Sequence, residues 1–238
     1  ILRYFRFYGF YGKKRINKTN IKVFKKLSSN LKKLSSERIY SEFKKILLSN
    51  NLYEVLNLMK ETKLLKYIII ENNNLKRIKN LRQICKSSQL IDFSTLMSII
   101  IKEKNLLKVF NNLNLSNSEK QKIKNIITFQ KKINFKLIGN NLVKFVYTYG
   151  NELCFNLLIY DYVKSPNASK KKEYLKFFSF IKNYKILKFP LTGKDIINVG
   201  IKTGPRVGKI LKSIKEWWID RKTKPSRKDC LEKLKEFN

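Results

Sequence analysis

Histidine is absent from the 238 residues, and with it goes the imidazole: no Ser-His or Cys-His nucleophile pair and no imidazole metal ligand can be built. Cysteine is scarce. Cys85, Cys154 and Cys230 are odd in number and far apart, so neither a zinc ligand set nor a disulfide framework is expected, and buried reduced thiols of a cytosol-like compartment fit better. Acidic side chains are few, 17 against 53 Lys and Arg. Glu37 and Glu42 fall on an expected helix, where pairing with nearby Lys or Arg outweighs a general-base role. No catalytic residue and no metal site is therefore assigned. Long apolar runs are missing too: Ile68-Ile69-Ile70 and Met97 to Ile101 fall well short of the roughly 20 residues a spanning helix needs. Alternating strand patterns, hairpin turns and solenoid-length repeats are absent, which excludes the all-β classes.

What is abundant is positive charge. The net charge of +36 belongs to a chain that meets polyanions, and attraction to RNA that weakens steeply with salt is expected. Basic runs recur from end to end, as at Lys13-Lys14-Arg15, Lys25-Lys26, Lys170-Lys171-Lys172 and Arg221-Lys222. The frequency of Lys, Asn and Ile also points to an A+T-rich genome, which raises surface lysine without functional selection, and a single charge run is commonly a solvated helix face. The first fifteen residues are basic, aromatic and free of acid, a composition shared with interfacial or targeting helices.

Helical spacing runs through almost the whole chain. Expected helices cover Leu34–Ser49, with Ser35 as N-cap, Glu37 in the first turn and Ile39, Phe43, Ile46 and Leu47 on one stripe; Leu52–Ile70; and, after a polar break at Asn72-Asn73-Asn74, Leu75–Cys85, Ser94–Lys102, Leu106–Leu113, Ser118–Lys132 and Asn141–Leu158. Ser165 to Ser169 reads as a loop before a helix over Lys170–Tyr184. Three lysines at that helix start oppose its dipole, so solvent, fraying or a bound phosphate must relieve them. Ser226 and Asp229 mark a capping box for a last helix. The fold class that follows is all-α, an elongated array of helical bundles.

One window concentrates the punctuation. Phe189 to Thr223 holds Gly193, Gly200, Gly204 and Gly208, four of only 8 glycines, with Pro205 beside the third. Thr192 or Gly193 can cap a short helix with Asp195 in its first turn, and Gly200 can end it. Gly204 and Pro205 suit the N-cap and first position of a second helix, whose Val207, Ile210, Leu211, Ile214 and Trp217 or Trp218 form a face to be buried. Gly208, one turn in, permits close approach of another backbone. The plain reading is a helix-turn-helix corner whose glycines serve packing. The sharper one is a phosphate held by backbone N–H groups with Lys202, Arg206 and Lys209 around it.

This window resembles the ending of the class II CCA-adding enzymes and the bacterial poly(A) polymerases, through Leu191-Thr192-Gly193-Lys194-Asp195, Gly200-Ile201, Gly204-Pro205, Gly208 and Ile210-Leu211. Lys202-Thr203 stands where the family often has a proline. Two further segments resemble the neck of that family: Ile1 to Phe7, like its "LRxxRF" stretch, and Ser35 to Leu47, like its "sxERIxxElxKiL" helix. Tyr8 and Gly9 follow where the family usually has small residues.

The resemblance implies a division into neck helices (1–71), a helical body (72–164) and a helical tail with the glycine-rich turn (165–238). It implies Arg3, Arg6 and Arg38 as residues bracing the neck against the nucleotide or the catalytic head. Lys170, Lys171, Lys172, Lys194, Lys202, Arg206 and Lys209 are the candidate RNA contacts. The family's head carries a Gly-Ser turn, an Asp-x-Asp pair that holds Mg2+ for attack of an RNA 3′-hydroxyl on ATP or CTP, and an "EDxxR" base-reading motif; none occurs in this sequence. No cofactor is expected on this chain, Mg2+ and ATP or CTP belonging to the head. The expectation is an RNA-holding portion, inactive alone, partnered by tRNA or other RNA and by a catalytic head in cis or trans, without a transmembrane segment, in the cytoplasm of an A+T-rich bacterium. The competing readings are a non-enzymatic basic adaptor or split-gene remnant, and a membrane-surface helix protein.

Overall fold

The computed structural model describes residues 1–12, 16–69, 74–84, 91–133 and 135–237, and among these no strand occurs: the fold is all-α. In chain order the helices are α1 (Leu2–Tyr11), α2 (Lys18–Leu27), α3 (Ser36–Leu47), α4 (Leu52–Glu61), α5 (Leu75–Leu81), α6 (Phe93–Ile100), α7 (Leu106–Asn112), α8 (Asn117–Lys132), α9 (Leu142–Tyr149), α10 (Asn151–Lys164), α11 (Ala168–Asn183), α12 (Gly193–Asn198), α13 (Pro205–Asp220) and α14 (Arg227–Lys235), with short 3-10 turns between some of them. They form two compact units. One comprises Ile1–Ile133 and Asn156–Leu175, the other Asn134–Phe155 and Lys176–Asn238. The Lys13-Lys14-Arg15 run, Asn72-Asn73, Ile70 and Cys85 lie outside the described residues.

In the first unit α1 packs on α3 and α4 through Leu2, Phe5 and Gly9. Phe5 is fully buried, worth about 2–3 kcal/mol of apolar transfer. Gly9 is needed for contact: a Cβ there would stand 2.5 Å from Ser49 Oγ and 2.7 Å from Ser49 Cβ. α3 starts as its sequence prescribes. Ser35 Oγ accepts from the Arg38 N–H, Glu37 lies in the first turn, and Ile39, Phe43, Ile46 and Leu47 are buried. The centre of the unit is α6, buried at all eight positions, where the Thr95 hydroxyl donates to Asp92 and the Ser98 hydroxyl to the Thr95 carbonyl, as buried polar groups require. It packs against α8, α5 and α3.

Several boundaries differ from the sequence expectation, for local reasons. The helix expected over Leu52–Ile70 stops at Glu61. Thr62 Oγ1 donates back to the Leu58 carbonyl at 2.8 Å and Lys63 takes φ 61°, so Leu64 and Leu65 reach the core from a 3-10 turn instead. The expected Asn141–Leu158 helix is two, α9 and α10, because Gly150 sits at φ 77° and ends the first. α8 begins one residue early, at Asn117, with Ser116 as its N-cap in a capping box with Glu119. α2 has no counterpart in the sequence expectation. Asn17 caps it, and Phe24 anchors it with ring centroids 4.8 Å from Tyr4 and 5.3 Å from Phe5.

The second unit is built on Leu191, Ile196, Ile201, Ile210, Ile214, Trp218, Ile219, Cys230 and Leu234. Trp218 is its hub. Tyr147 and Phe189 meet its ring edge-on at 5.7 and 5.4 Å, and its indole N–H donates to the Pro225 carbonyl at 2.8 Å, the partner a buried indole requires. Ser226 and Asp229 form the anticipated capping box of α14.

Candidate nucleic-acid interface

The glycine window folds as two helices about a tight turn. Thr192 and Asp195 close a capping box on α12; Gly200, just past its end, takes φ 97°, and Gly204 takes φ 147° as N-cap of α13 with Pro205 at the first position. These are backbone states that L side chains avoid. The turn encloses a hollow of about 550 Å³ whose walls include Gly200, Lys202, Thr203, Gly204 and Arg206. Lys202 and Arg206 are exposed on its wall, Arg206 with Nη2 donating to the Phe237 carbonyl at 3.1 Å, while Lys194 on α12 and Lys209 on α13 are exposed but do not line it. One expectation needs correcting: Gly208 does not admit a neighbouring backbone, since a Cβ there would meet nothing within 4 Å. It lies on the outer face of α13, away from the buried Ile210, Ile214 and Trp218, so internal packing does not call for a glycine there.

Asp195 has a second role that sequence spacing did not reveal. Arg227 Nη2 donates to Asp195 Oδ1, and Arg227 Nη1 donates to the Pro190 carbonyl at 2.6 Å. The Arg227 hydrogen bond, helped by the Thr192 backbone and hydroxyl, holds the Asp195 carboxyl down at about 2. The pair ties α14 to the start of α12. No local signal marks it, because the partners are 32 residues apart.

Between α1 and α3, Arg3 and Arg38 share the wall of a second concavity, about 470 Å³, with Glu37, Ser41 and Glu42. Arg6 is not part of that wall. Its Nη1 donates to Glu42 Oε1 at 2.8 Å, with side-chain exposures of 21% and 19%, so it fastens α1 to α3. The other Glu42 oxygen is buried and accepts no hydrogen bond. Both residues stand in the two neck motifs, although nothing in either motif alone pairs them.

The three lysines at the start of α11 are not equivalent. Lys170 pairs with Asp161 at 2.7 Å with both side chains about four-fifths buried, and its ammonium lies over the Tyr174 ring at 5.2 Å. Asp161 also accepts from the Tyr174 hydroxyl; burial, reinforced by that carboxylate, raises the Tyr174 pKa. Asn167 caps the helix through the Lys170 N–H at 2.6 Å. The unfavourable dipole is thus met by Asp161, a side chain of the protein itself, while Lys171 and Lys172 remain exposed. Among the described residues no three His, Cys, Asp or Glu side chains converge, and no helix is long and apolar enough to cross a membrane.

Comparison with known proteins bears on this arrangement. Residues 15–74 match a family model described as the probable RNA and SrmB-binding site of polymerase A. The mitochondrial CCA tRNA nucleotidyltransferase 1 of Danio rerio is 24% identical over 98% of this chain and 54% of its own length. The Homo sapiens protein of the same name is 26% identical over 92% of this chain and 50% of its own. The chain spans about half the length of these curated relatives. Among solved structures, the Thermotoga maritima CCA-adding enzyme complexed with tRNA has TM-score 0.66 at 19% identity, covering 98% of this chain and 59% of that one. The Bacillus stearothermophilus CCA-adding enzyme in complex with CTP has TM-score 0.64 at 17% identity, with 100% and 60% covered. The chain is similar in fold to CCA-adding enzymes along nearly its whole length and matches the polymerase A RNA-binding model over about a quarter of it. The likeness runs along nearly the whole chain instead of one motif. A stand-alone adaptor unrelated to polymerases is not favoured by it.

Proposed function

We propose that this chain is the RNA-holding neck, body and tail of a template-independent nucleotidyltransferase that adds CCA to tRNA or adenylates to RNA 3′ ends. The observation that supports the reading is the glycine turn: Lys202 and Arg206 line its hollow, Lys194 and Lys209 are exposed on the two helices it joins, and among the described residues nothing stands within 4 Å of a Cβ built at Gly200 or Gly204. A phosphate entering there meets the positive end of the 16-residue α13 and the Lys202 and Arg206 side chains, which fix position without reading bases. Lys171 and Lys172 of α11, in the other unit, are further exposed basic side chains. The neck (1–71) brings Arg3 and Arg38 to one concavity for the nucleotide or the head, with Arg6 as an internal brace. The body (72–164) and tail (165–238) grip folded RNA by shape and phosphates. Mg2+, ATP and CTP belong to a catalytic head acting in cis or trans, and the compartment proposed is the cytoplasm, which suits the two buried thiols Cys154 and Cys230.

The test is charge reversal of Lys194, Lys202, Arg206 and Lys209 to Glu, with tRNA binding followed from low to high salt. Each phosphate contact removed flattens the log–log salt dependence by about 0.9. A slope equal to that of the unaltered protein would remove the tail from the contact surface.

A further inference from the structure

α13 ends in a turn that its sequence does not favour. Lys222 and Thr223 take φ 58° and 56°, a backbone state that glycine normally supplies. The fold holds them there: the Lys222 and Thr223 N–H groups donate to the Ile219 and Trp218 carbonyls at 2.8 and 3.0 Å, and the hydroxyl of the buried Thr223 shares a hydrogen bond with that of Tyr184 at 3.0 Å. Beside this turn lies a hollow of about 570 Å³ walled by Trp217, Arg221, Lys222, Lys224 and Pro225, with Asp220 and Asp229. It stands at the opposite end of α13 from the glycine turn, about 24 Å along the 16-residue helix. Trp217 is half-buried, and the core takes its neighbour Trp218 as hub instead.

Both carboxylates of the wall are already engaged. Asp220 accepts from Lys144 Nζ at 2.8 Å, and Asp229 accepts from the Ser226 N–H and hydroxyl at 2.7 and 2.9 Å in the capping box of α14. The cations of the wall are not so engaged: Arg221, Lys222 and Lys224 are exposed, and among the described residues no hydrogen bond or ion pair occupies their side chains. The Arg221 guanidinium lies over the Trp217 ring at 4.5 Å. Lys233 Nζ is 5.9 Å from the same ring and pairs with Glu236. The hollow therefore joins a flat platform, Trp217 with Arg221 and Pro225, to free positive charge at Lys222 and Lys224. A nucleotide uses both features: its base stacks on an aromatic ring or an arginine plane, and lysine takes its phosphate. The base must be unpaired, since a duplex hides its base faces. An acidic peptide would leave the ring idle. A bilayer surface asks for a broad aliphatic face, and the apolar members of this wall are one indole and one proline.

We infer that this hollow is a subsite for one unpaired nucleotide of the bound RNA, with its base on Trp217 and Arg221 and its phosphate at Lys222 and Lys224. The inference rests on the RNA-holding reading above and adds a base contact to the phosphate contacts of the glycine turn. The whole chain is titrated, by fluorescence anisotropy, with a labelled oligoadenylate of about 8 nucleotides and with an abasic oligomer of the same length and charge, AMP serving as competitor. The unaltered protein prefers the oligomer that carries bases by about tenfold. Trp217→Ala abolishes that preference and leaves the abasic affinity as it was, while Trp217→Tyr, which keeps a ring, retains it. Lys222→Gly/Lys224→Ala, in which glycine suits the φ of 58°, weakens both oligomers alike. AMP competes only in the millimolar range; competition at micromolar AMP would give the hollow to a free nucleotide and overturn the RNA assignment. Absence of any base preference, a preference that survives Trp217→Ala, or a charge variant that binds like the unaltered protein would overturn the inference and leave the RNA-holding reading standing. An unaltered protein that binds neither these oligomers nor tRNA would end both.

Discussion

Gly208 offers a test in which two explanations of the same residue predict opposite signs. Were the glycine there to let another backbone approach, an added methyl would collide and destabilise the tail. The space over Gly208 is open, with nothing within 4 Å of a Cβ, and its position in α13 is ordinary helix. Gly208→Ala should therefore stabilise the second unit by about 1 kcal/mol, the difference in helix propensity, which corresponds to a rise of roughly 4–8 °C in its unfolding midpoint. Gly200→Ala is the counterpart. Its Cβ also has free space, but φ of 97° makes the same methyl cost about 1–2 kcal/mol. Both are measured by tryptophan fluorescence, since Trp217 and Trp218 are the chain's only tryptophans and both sit on α13. A fall in stability for Gly208→Ala would refute the reasoning and restore the glycine to packing. If the bare stretch of α13 meets RNA, Gly208→Ala also weakens tRNA binding while the fold gains.

Other outcomes follow from the same geometry. Gly9→Ala forces a methyl to within 2.5 Å of Ser49 Oγ and 3.3 Å of Val55 Cγ2, an overpacking that should cost about 1–3 kcal/mol in denaturant titration. The Asp195 carboxyl, held at about 2 chiefly by Arg227, contributes stability that is complete above its unfolded value near 4 and is lost as pH falls from there through 2. Allowing for screening at the exposed Arg227, the contribution is roughly 1 kcal/mol. Arg227→Met should remove most of the acid dependence of tail unfolding between those limits, and an unaltered acid profile would show that the pair contributes nothing.

The elements that were legible in the sequence are those fixed by neighbours in the chain. Ser35 with Glu37, Ser226 with Asp229 and Gly204 with Pro205 announce helix starts because a cap is a contact across three residues. The α2 helix was readable too, with Asn17 as its cap and Ile21, Phe24 and Leu27 at helical spacing, although the sequence reading assigned no helix there. Gly150 was invisible as a break because the apolar spacing continues across it. The ion pairs were the least legible part of the site. Arg6 with Glu42 and Arg227 with Asp195 join residues 36 and 32 positions apart, and only the fold brings them together. Lys170 shows the consequence: it reads as one of three equal lysines, yet Asp161 takes it into the protein and leaves Lys171 and Lys172 outside.

The central claim is that these helices hold RNA for chemistry carried by another module, and direct titration of tRNA lacking its 3′ end into the purified chain tests it. The account predicts tight binding in dilute buffer, weakening by about 10³–10⁵ between 50 and 200 mM salt if some six to ten phosphates are held, with no incorporation of labelled ATP or CTP until a head bearing the catalytic carboxylates is added. Absence of binding at the lowest salt, or nucleotide transfer by the chain alone, would contradict it.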